Sequence, residues 1–109
     1  MSADSYMDMA LEEARAAARR GEVPVGAVLV DADTSEVLAR AGNLTEEMND
    51  PTAHAEILVI RAAAGAKGEP RLPNCDLYVT LEPCPMCATA ISFARLRRVY
   101  FGAYDPKGG

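Results

Sequence analysis

Three features of the sequence predict an α/β fold: a helical segment with one apolar face near the amino terminus, short β-branched apolar runs, and a strand, helix, strand succession from Leu77 to Gly102. The last is a βαβ unit, which implies two parallel strands joined by a right-handed crossover. At 109 residues the chain has about the commonest size of one domain, so a single domain over 1–109 is expected. Half of its residues are hydrophobic and a quarter are charged, a globular composition far from that of disordered chains.

From Ser5 to Arg20, Met7, Ala10, Leu11, Ala14, Ala17 and Ala18 recur at spacings of three and four, which predicts a helix with one buried face. Gly21 ends it, and Arg19 and Arg20 in the last turn suit the negative end of the helix dipole. Val23 to Val30 reads as a buried strand. Asp31 to Ser35 forms a turn, and Glu36 to Ala41 pairs back as a hairpin. Gly42 to Thr52 is rich in Asn, Asp, Thr and Pro and reads as a loop. Ala55, Leu58, Val59 and Ala62 mark a second helix with Thr52 as its cap, and Gly65 to Asn74 reads as a loop. Leu77 to Leu81 is the clearest strand, being aromatic and β-branched. Pro85 then opens a helix with Cys87, Ala90, Ile91 and Ala94 on one face, and Val99 to Gly102 is the last strand.

Net charge is −5 and unevenly placed. Residues 1–53 hold four basic and eleven acidic groups, net −7, whereas 54–109 hold seven and five, net +2. Arg95, Arg97, Arg98 and Lys107 cluster in the second half; a solvated helix face is the plain account, RNA contact the functional one. The longest apolar run is broken by Pro24 and Gly26 and falls far short of the roughly 20 residues that span a bilayer, so no membrane is expected. The amino terminus lacks the basic start and apolar stretch of a secretory signal, which reads as a cytoplasmic protein. Three cysteines, two of them only three residues apart, argue against a disulfide scaffold.

Those two, Cys84 and Cys87, straddle a helix start, where main-chain amides favour thiolates that face one point. His54 is the sole histidine and also opens a helix. One nitrogen and two sulfurs suit zinc, and a count of three leaves a position for water, the catalytic pattern. Cys75 precedes the strand whose far end carries Cys84, too distant to be a fourth ligand, and reads as a small apolar residue packed in the core. Glu56 follows His54 by two and can take a proton from the bound water and pass it to a leaving nitrogen. Glu82, at a strand end, reads as a solvated or structural group. Each residue alone has a plain reading, as core histidine, surface acid or thioredoxin-like dithiol; H-x-E followed by P-C-x-x-C is the zinc-deaminase arrangement.

On these residues the chain resembles the cytidine deaminase superfamily, and within it the tRNA adenosine deaminase branch. The likeness extends through Gly21 to Val30, the Asn43 loop, Asp50 to Ile57, Leu77 to Cys87 and Val99 to Asp105. It implies a three-layer αβα sandwich with a mixed central sheet and helices on both faces. It also implies one Zn2+ per chain on His54, Cys84 and Cys87, and a homodimer with the helix after Cys84 near the interface. The implied reaction is hydrolysis of adenosine to inosine at the wobble position of a tRNA anticodon, that of arginine tRNA in bacteria, with zinc hydroxide attacking C6 and Glu56 as proton shuttle. By the same match Asn43 hydrogen-bonds the purine, Val23 packs beside the base, and the main chain around Ala55 and Pro83 lines the pocket. Asp105 stands near the anticodon ribose, and Arg95 and Lys107 are candidates for phosphate contacts. The run Ser92 to Leu96 departs from the family's His-Ser-Arg-Ile stretch. Family members continue with another strand and a carboxy-terminal helix, which this domain is expected to lack.

Zinc chemistry beside a carboxylate does not by itself choose the base. A deaminase of free guanine or cytosine is the nearest alternative, and a structural zinc or dithiol redox module is the alternative from another class.

Overall fold

A computed structural model of the chain describes residues 2–103. Helix α1 spans Ala3–Arg19, capped by the hydroxyl of Ser2, which accepts from the Ser5 amide. Its last turn hands over through Arg20 to Gly21, whose φ of 82° needs a residue without a side chain. Strands β1 (Gly26–Asp31), β2 (Glu36–Gly42), β3 (Cys75–Val79) and β4 (Arg98–Phe101) form one sheet in the order β2-β1-β3-β4. Helix α2 spans Ala55–Lys67, and α3 spans Pro85–Ala94 between β3 and β4. β1 runs antiparallel to β2 and β3, while β3 and β4 are parallel, so the sheet is mixed and the βαβ unit is present.

Both faces of the sheet are covered, which is why β1 and β3 carry apolar residues without alternation. Ala27 and Leu29 of β1 and Leu77 and Val79 of β3 pack against Ala55, Val59 and Ala63 of α2, with Ile91 of α3 beside them. Val28, Val30 and Tyr78 face the other way, onto Tyr6 and Ala10 of α1. The result is the three-layer αβα sandwich. Close approach of α1 requires Gly26, since a Cβ there would meet the Ala10 carbonyl oxygen and the Ala14 nitrogen. Among the described residues no helix is long and apolar enough to cross a membrane.

Several boundaries differ from the sequence reading: β3 runs Cys75–Val79 rather than Leu77 to Leu81, since its ladder with β1 starts at Asp31 opposite Cys75, and β4 runs Arg98–Phe101 rather than Val99 to Gly102. β1 starts at Gly26 rather than Val23, because Pro24 has no amide proton and Val25 turns back to donate to the Val23 carbonyl at 2.8 Å. α2 continues past Gly65 to Lys67 and stops at Gly68, which holds the left-handed conformation at φ 66°. Gly65 has open space where a side chain would be and interrupts nothing. Thr52 does not cap α2; its hydroxyl and amide both donate to the Asp50 carboxylate, and His54 is the residue at the cap position.

Candidate metal centre and catalytic site

The amino-terminal ends of α2 and α3 meet at the carboxyl end of β3, where open α/β sheets bind their ligands. His54 and Cys84 are the cap residues of the two helices and Cys87 lies in the first turn of α3. Pro85 favours that start, since its missing amide proton costs nothing in a first turn and its fixed φ is already helical. Neither His54 nor Cys84 makes a side-chain capping bond, so imidazole and thiol are free to face each other.

His54 Nδ1 stands 3.6 Å from Cys84 Sγ and 3.4 Å from Cys87 Sγ. In a tetrahedral zinc site, bonds of about 2.1 Å to nitrogen and 2.3 Å to sulfur put the two atoms about 3.6 Å apart. The donor set therefore fits zinc in kind and in spacing, and all its ligand atoms lie within 4.8 Å of one another. Among the described residues no fourth donor joins this group. Cys75 is buried in the core cluster at the other end of β3.

Glu56, in the first turn of α2, is 4% exposed, and burial holds its carboxyl above the ordinary carboxylate range. It interacts with His54 and Cys87 without belonging to the ligand group. Burial likewise pushes the Cys87 thiol up, and the Glu56 carboxylate beside it pushes further. A cation bound beside Cys87 would offset that burial and favour its thiolate.

A cavity of about 180 Å³ opens onto these groups. Val23, Val25 and Leu81 supply apolar wall, Asn43, Glu56 and Glu82 supply polar groups, and His54 and Cys84 complete the lining. An apolar cavity of roughly 150 Å³ holds a benzene molecule, and this one, open to the surface, admits the reacting ring of a planar base. Asn43 is 5% exposed, and its Oδ1 accepts from the Ala55 amide at 2.8 Å. With the oxygen so committed, the side chain offers a ligand its NH2 donor.

Of the residues singled out in the sequence, His54, Glu56, Cys84, Asn43 and Val23 line this cavity, and Cys87 closes the ligand group behind it. Ala55 is fully buried with its amide on Asn43, and Pro83 lies between the lining residues Glu82 and Cys84. Arg95 is exposed at the carboxyl end of α3, about 16 Å along the helix from Cys84 at about 1.5 Å per residue. Asp105 and Lys107 lie outside the described residues. Val25 and Leu81 line the cavity unanticipated, because apolar residues flanking a strand read as core. Glu82 proves to face the cavity as well.

Residues 1–103 match the family model for the cytidine and deoxycytidylate deaminase zinc-binding region. The chain belongs to this deaminase family. It is 65% identical over 104 residues to a tRNA-specific adenosine deaminase of Agrobacterium fabrum and 55% identical over 104 residues to one of Bacillus subtilis, covering 95% of this chain in each case. The chain spans 67% and 63% of the lengths of those two proteins. Among solved structures, one from work on A-to-I editing by tRNA:A34 deaminases superposes with a TM-score of 0.93 at 64% identity, over 97% of this chain and 80% of the other. A guanine deaminase of Bacillus subtilis superposes with a TM-score of 0.91 at 37% identity, over 95% of this chain and 66% of the other. Membership of a zinc-binding deaminase family agrees with zinc as the cofactor and with a His54, Cys84 and Cys87 group able to hold one metal ion.

Proposed function

We propose that this chain hydrolyses adenosine to inosine in tRNA, at the wobble position of an anticodon, with arginine tRNA as the substrate species. The observation that carries the reading is a ring-sized cavity with the ligand triad and Glu56 on one side and an amide donor, Asn43, in its lining. Similarity to the two tRNA-specific adenosine deaminases and to the tRNA:A34 deaminase structure supports the choice of base and of RNA. A cytoplasmic location accords with a tRNA substrate.

His54, Cys84 and Cys87 would hold the zinc, which when bound acidifies a water to serve as nucleophile near neutral pH. Glu56 is placed to take the proton that a nucleophilic water gives up as its oxygen bonds to C6 of the adenine and the C6–N1 π pair moves onto N1. The same carboxyl then delivers a proton to the departing amine, so the C6–N bond breaks and ammonia leaves. Its raised affinity for protons suits a group that must hold one between the two steps. The Asn43 NH2 donates to an acceptor on the ring, and Val23 packs on the base. An unpaired anticodon base can enter without opening a duplex. Arg95 is assigned to phosphates away from the base, as are Lys107 and, for the ribose, Asp105.

We further infer a homodimer formed through a groove between α2 and α3, where Ile60 and Ala90 are partly exposed and Phe93 is 74% exposed. A second reading of the substrate, a free purine, is favoured by the fit to the guanine deaminase. Zinc-loaded protein incubated with arginine tRNA and separately with free bases and nucleosides decides between them. Inosine in the tRNA, found by nucleoside mass spectrometry, is the expected result; conversion of free guanine with unaltered tRNA would overturn it.

A further inference from the structure

Glu22 is a buried carboxylate, 6% exposed, that no step above uses. It sits just past the end of α1, where its own amide donates to the Ala17 carbonyl and that of Gly21 to Ala18. Its side chain crosses to the loop after β2. One oxygen accepts from the Glu46 amide at 3.0 Å and the Thr45 hydroxyl at 3.3 Å, and the other accepts from the Glu47 amide at 2.9 Å. The next residue in the chain is Val23, and two residues before Thr45 is Asn43; both line the cavity. Two further bonds join the same segments. The Asn43 amide donates to the Val25 carbonyl at 3.1 Å, and the Arg20 guanidinium donates to the Asn43 carbonyl at 3.3 Å.

We propose that Glu22 is a positioning residue: its carboxylate locks the loop bearing Asn43 to the segment bearing Val23, and so sets the spacing of two side chains that receive the base. The proposal rests on the adenosine reading above. A carboxylate is the group required, because all three partners are donors and an ionised acid only accepts. Glutamine in its place would turn an NH2 group towards one of the main-chain amides. Those amides and the hydroxyl also hold the Glu22 carboxyl below the usual carboxylate range, so the lock is charged at neutral pH. A base held loosely between Val23 and Asn43 reacts slowly, since catalysis is sensitive to misplacement of about 1 Å.

The test compares zinc-loaded Glu22→Gln with the unaltered protein on an anticodon stem-loop carrying either adenosine or 2-aminoadenosine at the target position. Loosening the cavity should raise the turnover of the bulkier purine relative to adenosine, a ratio that does not depend on the fraction of enzyme folded. We expect kcat for adenosine to fall about tenfold, while KM for the RNA stays within about twofold because phosphate contacts outside the cavity dominate affinity. Amide hydrogen exchange at Glu46 and Glu47 should quicken by about tenfold or more as the lock opens. Thr45→Val, which removes one of the three bonds, should shift each quantity the same way by less, and it decides the matter if Glu22→Gln does not retain zinc. An unchanged purine ratio, or unchanged exchange at both amides, would overturn the proposal. If the unaltered protein leaves adenosine in RNA untouched, the substrate reading fails, and the exchange measurement, which needs no substrate, then decides on the lock alone.

Discussion

The side-chain oxygen of Asn43 takes the place of a helix cap for Ala55. By accepting from the Ala55 amide at 2.8 Å it satisfies the first turn of α2 from outside the helix, and the residue at the cap position, His54, keeps its imidazole for the thiols. One side chain thus couples helix stability, ligand geometry and the donor offered to substrate. Replacing it by alanine leaves the Ala55 amide buried and unpaired, at a cost of about 1–3 kcal/mol. Loosening a ligand's support typically weakens metal affinity by about 10–100-fold. Asn43→Ala should therefore melt earlier and release zinc to a competing chelator more readily, as well as losing turnover. A variant that loses turnover with unchanged zinc affinity would show that Asn43 serves the substrate alone.

Glu56→Gln separates chemistry from structure. The amide nearly matches the carboxylate in shape and removes a charge that burial penalises, so the variant should bind one zinc per chain and unfold at the same temperature or higher. Turnover should fall by about 10²–10⁴, the usual contribution of a proton-transferring side chain. Metal analysis, calorimetry and an inosine assay on one preparation check the three statements together.

The grouping of the candidate site residues is more legible in the sequence than their surroundings are. His54, Glu56, Cys84 and Cys87 announce themselves because their spacing within two short segments follows from local helix geometry, and local geometry is what a sequence encodes most directly. The βαβ unit and the amphipathic face of α1 were readable for the same reason. Contacts between distant segments were not. Nothing local says that Asn43 would cap α2 in place of Thr52, that Glu22 would reach across to the amides of residues 46 and 47, or that β1 would lie between β2 and β3. Boundaries failed where one residue had two readings: Pro24 sits in an apolar run yet cannot join a ladder, and Gly65 resembles a helix end while Gly68 is the one that turns left-handed.

Cys75 offers a control for metal stoichiometry. It is buried among Leu77, Leu72 and Ala63 at the end of β3 remote from the other two cysteines. Cys75→Ala should keep one zinc per chain and full turnover, and lose on the order of 1 kcal/mol of stability as a small cavity forms. Cys87→Ala should lose the metal, and its melting temperature should no longer respond to added zinc. Zinc titrations of both variants, followed by thermal melts, check this.

Acid should weaken the protein partly through Asp31. A hydrogen bond from Lys67 at 3.0 Å, and the Asp33 and Thr34 amides, hold its carboxyl below the usual carboxylate range. The folded state therefore binds this proton less readily than the unfolded chain does. The resulting stability is present in full above the unfolded value and is lost as pH falls through the folded one. Asp31→Asn should be less stable than the unaltered protein at pH 7 and should lose less on acidification below about pH 4. Urea unfolding midpoints across that range provide the measurement, and parallel curves for the two proteins would remove Asp31 from the account.

Phe93 tests the assembly. Its ring stands 74% exposed on α3, in a groove shared with Ile60 of α2, and it is the most exposed large apolar side chain among the described residues. Apolar surface of this kind on a helix pair is stable in water when a matching surface covers it, and a second copy supplies one by symmetry. Phe93→Glu would place a charge at the centre of that contact, where an unpaired charge is costly. Sedimentation should show the unaltered protein as a dimer and Phe93→Glu as a monomer that keeps its zinc. Because α3 carries Cys84 and Cys87 at one end and Phe93 near the other, separation of the subunits would also remove an external support from the helix that holds two of the proposed ligands. The monomer should therefore give up zinc faster to a chelator. A monomeric unaltered protein, or a variant that remains dimeric, would assign the exposed ring to another partner.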